Sequence, residues 1–182
     1  MKGIPFSPYG GRTMPDFERR RREMVDRQIA SRGIRDEHVL EAMRSVPREA
    51  FVSKEMAEFA YEDSPLPIEA GQTISQPYIV AAMVEAAEVR SGDRVLEVGA
   101  GSGYAAAILG HIAEEVHAVE RHGALGKLAR ERLQSLGYGG VRIHVGDGSK
   151  GWPAAAPFDA ILVAAGAPQV PDSLKKQLTI GG

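Results

Sequence analysis

The chain of 182 residues has no cysteine, one tryptophan and only 6% aromatic residues. Lacking cysteine, it forms no disulfide, uses no thiolate in catalysis and holds no cysteine-ligated zinc. No charge of one sign dominates. Its 22 basic and 24 acidic side chains give a formal net charge of −2, so nothing draws the chain as a whole toward nucleic acid or an anionic membrane. No apolar run approaches the roughly 20 residues that span a bilayer, and no apolar signal core follows Lys2. The histidines at 38, 111, 117, 122 and 144 show no paired ligand spacing, so no metal site is expected. Internal repeats are not evident. A soluble, unexported, cytoplasmic protein acting on a small molecule or another protein is the reading these absences leave.

What is present suits one α/β domain: 43% hydrophobic and 25% charged residues over a length that buries a sizeable core. Residues 1–14, with three glycines and two prolines, read as a loose leader. From Asp16, the spacing of Phe17, Met24, Val25, Gln28 and Ile29 predicts a helix ending near Gly33. A second helix follows Asp36, with Val39, Leu40, Met43 and Val46 on one face. The basic run Arg19 to Arg22, bracketed by Glu18 and Glu23, reads as a solvated helix face. Tyr61 to Pro77, with its prolines and Gly71, reads as an extended segment without regular structure. These parts and the helix Tyr78 to Ala87 make up a region over 15–90 of helices and a long loop, of the kind that often carries function.

Over 91–182 the pattern changes to strands alternating with helices, which predicts parallel βαβ units in a partial Rossmann-like core continuous with the preceding region. The expected strands are Arg94 to Val98, Glu115 to Val119, Val141 to Val145 and Ala160 to Ala164. Val141, Ile143 and Val145 alternate with polar residues, as in an edge strand. Ile161 to Ala165 is continuously apolar, as in the middle of a sheet. Trp152 reads as the anchor of a loop.

The strand Arg94 to Val98 runs directly into Gly99-Ala100-Gly101-Ser102-Gly103-Tyr104, a glycine loop that lets a ligand approach the backbone. Glu97 precedes the loop. Glu120 ends the next strand, where a carboxylate can accept hydrogen bonds from ribose hydroxyls, and Asp147-Gly148 ends the one after, within reach of an adenine amino group. The Gly-x-Gly-x-Gly order and the acid before it favour S-adenosyl-L-methionine, whose ammonium group a carboxylate suits. A dinucleotide site and a purely structural turn are the alternatives at this point. Ser75-Gln76-Pro77 reads locally as a helix N-cap with proline in the first turn.

Leu66-Pro67-Ile68 and Gly71-Gln72-Thr73-Ile74-Ser75-Gln76-Pro77-Tyr78 resemble the signature segment of protein-L-isoaspartate O-methyltransferases. Val46 to Val52, Val95 to Tyr104, Gly146 to Gly148 and Ala156 to Val163 continue the resemblance in order. It implies a class I, Rossmann-like methyltransferase domain with N-terminal helices. The implied reaction moves a methyl group from S-adenosyl-L-methionine, leaving S-adenosyl-L-homocysteine, to the free α-carboxylate of L-isoaspartyl residues in damaged proteins or peptides. Ser75 would orient that carboxylate. Thr73, Ile74, Glu97, Gly99, Gly101, Gly103, Glu120, Arg121, Asp147 and Gly148 would form the cofactor site. Two departures accompany the likeness. Glu69 stands where the family commonly has glycine, so a positive φ there would strain the loop. The chain also stops at Gly182, where the family continues into further strands. A missing neighbour for the Ala160 to Ala164 strand implies marginal stability and weak activity, or a noncatalytic relative that binds cofactor or damaged protein without turnover.

Overall fold

A computed structural model describes residues 16–166 and 169–182. The leader expected over 1–14 lies outside the described residues. Helix α1 (Phe17–Met24) starts where the Asp16 carboxylate accepts the Arg19 amide at 3.0 Å. It continues through a π turn (Val25–Ile29) and a 3-10 turn (Ala30–Arg32) to Gly33. Arg19 pairs with Glu23 and Arg22 with Glu18 on its outer side, while Met24, Val25 and Ile29 are buried. Helix α2 (Glu37–Ser45) is capped by Asp36, which accepts from the His38 and Val39 amides, and buries Val39, Leu40, Ala42 and Met43. Each aspartate cap is worth about 1 kcal/mol.

The segment from Tyr61 to Pro77 is not irregular throughout. It contains an antiparallel hairpin, β1 (Leu66–Pro67) with β2 (Thr73–Ile74), in which Leu66 faces Ile74. Both side chains are buried, and that burial outweighs the poor strand propensity of Pro67, which needs no donor at a sheet edge. The expected strain at Glu69 is also corrected. Positive φ falls one residue later, at Ala70 (58°), and at Gly71 (65°), which turn the hairpin while Glu69 faces outward to an ion pair.

Helix α3 (Pro77–Ala86) leads into the main sheet, whose elements are β3 (Arg94–Val98), α4 (Tyr104–Ile112), β4 (Glu115–Glu120), α5 (Gly123–Ser135), β5 (Val141–Val145), β6 (Ala160–Val163) and a short α6 (Asp172–Lys175). The sheet is parallel, in the order β5-β4-β3-β6. Among the described residues β5 is the edge its alternating pattern predicts. β6, expected in the middle, has β3 as its one strand neighbour among the described residues; Ile161 and Val163 are half-buried where a central strand would bury them fully. Continuous apolarity reports contact with both faces, which β6 shares with a central strand, and is silent about the lateral neighbour.

Strand alternation divides the core. Val95, Val116, Ala118 and Leu162 join the helices in one large cluster, whereas Leu96, Val98 and Val119 point the other way, toward Phe158 and Leu174. Trp152 stacks on His144 with ring centroids 3.8 Å apart, anchoring the loop after β5. Among the described residues no helix is long and apolar enough to cross a membrane.

Candidate functional site

In a doubly wound sheet the carboxyl ends of the parallel strands share one rim, and ligands bind there. β3 ends at that rim in the glycine loop. The Gly99 and Ala100 amides donate to the Val119 carbonyl at 2.9 and 3.2 Å, which binds the loop to the end of β4. Gly99 has φ +96°, and a Cβ on it would lie 3.2 Å from both the Ala164 carbonyl carbon and the Ala165 Cβ, so only glycine fits without displacing the chain beyond β6. The Gly101 amide donates to Glu120 Oε2 at 2.9 Å, and Glu120 Oε1 accepts the His122 amide at 2.8 Å. Glu120 therefore braces the loop and the turn into α5 together, with further lone pairs on both oxygens.

Alternation along β3 sends Glu97 to the same face as Val95 but one step closer to the rim. Its side chain opens into a small cavity lined also by Thr73, Ile74, Ser75, Gly99 and Gly101. Glu97 is 1% exposed, and its Oε2 has no hydrogen-bond partner. Burial, with a smaller contribution from the Glu120 charge, pushes its carboxyl up to about 8. A buried carboxyl with an unpartnered oxygen, open to a cavity, is chemically suited to a cationic group with N–H donors.

A second cleft, of about 540 Å³, shares Gly99 with the first and is lined by Val98, Arg121, Asp147 and Gly148. Asp147 is exposed, and Ser149 donates to its Oδ1 from both amide and hydroxyl, at 3.0 and 2.7 Å. Those hydrogen bonds hold its carboxyl below the usual range. A Cβ on Gly148 would meet Val98 Cγ1 at 2.5 Å, so packing against β3 requires glycine there.

Nine of the eleven site residues named from sequence thus line two adjoining cavities on one rim, and Glu120 stands behind the first, bonded to the Gly101 amide. Gly103 lines neither: it starts α4, and a Cβ on it would press at 3.3 Å on Ala129 and Leu133 of α5. Ser75 is not the helix cap. The N-cap of α3 is Gln76, and Ser75 is half-buried in the cavity wall instead. Residues not foreseen from the sequence include Met83, Val84, Tyr104 and Leu162 around the first cavity. Of these only Tyr104 carried a signal, its place at the end of the glycine loop. Arg132 was not foreseen either. It is 12% exposed and holds Glu69 through two contacts of 2.7 and 3.3 Å, tying the hairpin tip to α5. Among the described residues no cluster of three or more histidine, aspartate or glutamate side chains could hold a metal ion.

The parallel sheet and its glycine loop, with an acid at each of three successive strand ends, have the architecture of a Rossmann-like, S-adenosylmethionine-dependent methyltransferase domain. Within that class the chain belongs to the protein-L-isoaspartate(D-aspartate) O-methyltransferase family, whose model matches residues 19–182. It is 61% identical over 166 residues to protein-L-isoaspartate O-methyltransferase 1 of Rhodopseudomonas palustris strain HaA2, covering 91% of this chain and 68% of that one. With protein-L-isoaspartate O-methyltransferase 2 of Pelobacter propionicus it shares 61% over 165 residues, covering 91% and 73%. A solved protein-L-isoaspartate O-methyltransferase superposes with a TM-score of 0.82 at 33% identity, covering 88% of this chain and 53% of that one. The chain therefore spans about half the length of that solved protein. A Plasmodium falciparum structure, described as a complex of such an enzyme with S-adenosyl-L-homocysteine, shares the fold with a TM-score of 0.75 at 24% identity, covering 87% of this chain and 79% of that one.

Proposed function

We propose that this chain carries the cofactor and acceptor sites for methyl transfer from S-adenosyl-L-methionine to the free α-carboxylate of L-isoaspartyl residues in damaged proteins and peptides. The observation that carries this reading is the unpartnered, buried Glu97 carboxyl opening into the same cavity as Ser75. A methionine ammonium group would supply the missing donor to Glu97 and favour its ionised form. Glu120 would accept from the ribose hydroxyls. Asp147 and Arg121 would flank the adenine in the second cleft, and Thr73, Ile74, Gly99 and Gly101 would wall the first.

When bound, S-adenosyl-L-methionine supplies a methyl group activated on a sulfonium cation. The acceptor carboxylate is already an anion at neutral pH, so the chain needs no general base. Ser75 donates its hydroxyl hydrogen to the carboxylate and fixes its line of approach; it is not a nucleophile. The hairpin that carries Thr73 and Ile74, latched by Glu69 to Arg132, covers the glycine loop, with Ile68 Cδ1 3.7 Å from where a Gly101 Cβ would be. With cofactor and acceptor in place, that cover would shield the methyl path from water. Positioning of this kind can supply about 7–11 kcal/mol of a barrier. The net charge of −2 suits a protein or peptide partner rather than nucleic acid, and a chain without cysteine suits action in the cytoplasm.

The test uses tritium-labelled cofactor with matched peptides differing only in an isoaspartyl or aspartyl linkage. Labelling confined to the isoaspartyl peptide is expected. Equal labelling of both refutes the specificity, and no labelling with intact S-adenosyl-L-homocysteine binding favours a binding protein without turnover.

A further inference from the structure

We propose that Asp63 is the positioning residue that keeps the Ser75 hydroxyl free for the acceptor carboxylate, an inference that rests on the role given to Ser75 above. The first turn of any helix leaves amide N–H groups that need acceptors, and serine is among the preferred residues to supply one. Ser75, just before Gln76 and Pro77, is placed to be consumed in this way. It is not. The N-cap of α3 is Gln76, whose side chain makes no capping bond, and Pro77 has no N–H to satisfy.

The acceptor comes instead from thirteen residues before Gln76. Asp63 Oδ1 accepts the Tyr78 amide at 3.4 Å, and its Oδ2 accepts Gln76 Nε2 at 2.7 Å. The same Oδ2 accepts Arg32 Nη1 at 2.5 Å, and the Arg32 guanidinium lies over the Tyr78 ring, 3.6 Å from its centroid. One carboxylate, a quarter exposed, thus grips both residues that flank Pro77 and adds negative charge at the positive end of α3. The Ser75 hydroxyl makes no hydrogen bond among the described residues. Without Asp63, the nearest hydroxyl in sequence able to accept from the first turn of α3 is Ser75 Oγ, a better capping group than the longer Gln76 side chain, and capping would turn that oxygen toward the helix and away from the cavity it lines. The ion pair with Arg32 fixes the carboxylate from the far side, so α1 and its extension position the acceptor serine although they form no part of the cavity wall.

The experiment compares Asp63→Ala, Asp63→Asn, Ser75→Ala and the Asp63→Ala/Ser75→Ala double variant in the intact protein. Methylation of an isoaspartyl peptide and affinity for S-adenosyl-L-homocysteine are measured for each. Loss of one hydrogen bond to a charged group corresponds to about tenfold or more in kcat/KM. Both single alanine variants are expected to lose that much with cofactor-product affinity within about twofold of wild type. The double variant is expected to be no worse than Ser75→Ala alone, because Asp63 acts through Ser75. Asp63→Asn, which keeps an acceptor for the Tyr78 amide, is expected to recover most of the activity, and hydrogen exchange at that amide should be slow in wild type and fast in Asp63→Ala. If Ser75→Ala retains full activity, the role of Ser75 fails and the proposal fails with it. If Ser75→Ala is impaired but Asp63→Ala is not, or the two losses multiply, or affinity falls in parallel with activity, the role of Ser75 stands and the proposal for Asp63 is overturned.

Discussion

Replacing Glu97 by glutamine tests the site through stability and proton release as well as turnover. The native carboxyl titrates at about 8 against 4.5 for an ordinary glutamate, because it is buried and faces the Glu120 charge. A carboxyl raised in this way holds its proton in the folded state while the unfolded chain gives it up. Stability therefore falls as pH rises from about 4.5 toward 8. Each pH unit in that window costs about 1.4 kcal/mol, so by pH 7 the cost is about 3 kcal/mol. Glutamine has the same shape and no proton to lose. Without ligand, Glu97→Gln should match wild type near pH 4.5 and melt about 6–12 °C higher at pH 7, at roughly 2–4 °C per kcal/mol for a chain of this size. Binding should show the opposite preference. S-adenosyl-L-homocysteine carries the same ammonium group, and removing the carboxylate should weaken its binding about tenfold or more. At pH 7 the wild-type carboxyl is mostly protonated, so pairing with the ammonium should release close to one proton, read by calorimetry in buffers of different ionisation enthalpy. The variant should release none. Equal melting at pH 7, or proton release unchanged by the substitution, would refute both the buried state of Glu97 and its pairing with an ammonium.

Gly148→Ala places a methyl group 2.5 Å from Val98 Cγ1 and should cost about 1–3 kcal/mol in urea unfolding, part of it recovered by adding Val98→Ala. Ala70 sits at φ 58°, so Ala70→Gly should relieve about 1 kcal/mol and raise the urea midpoint; a lowered midpoint would show that the turn is not strained there. His144 is held down to about 4 by burial first, then by the charges of His117, Arg130 and Arg142. The unfolded chain takes up that proton near pH 6.5 and the folded one near 4, so stability should decline through that interval as pH falls, and melting curves of His144→Gln should show a shallower decline.

Local chemistry made much of this protein readable before folding. Asp16 and Asp36 cap the helices they precede because capping involves atoms two or three residues apart. The glycine loop, Glu97, Glu120 and Asp147 came to one rim because parallel strands joined by helices must all end on the same side. What the sequence by itself determined is therefore the set of short-range and periodic features, together with the family its motifs carry. The tertiary structure decided matters in which distant atoms compete for one group. It freed Ser75 from capping by bringing Asp63 to α3, and moved the strained turn from Glu69 to Ala70 while sending Glu69 to Arg132. None of these leaves a periodic trace, because each depends on which remote side chain arrives to satisfy a hydrogen bond or a charge, and only the folded backbone sets that distance.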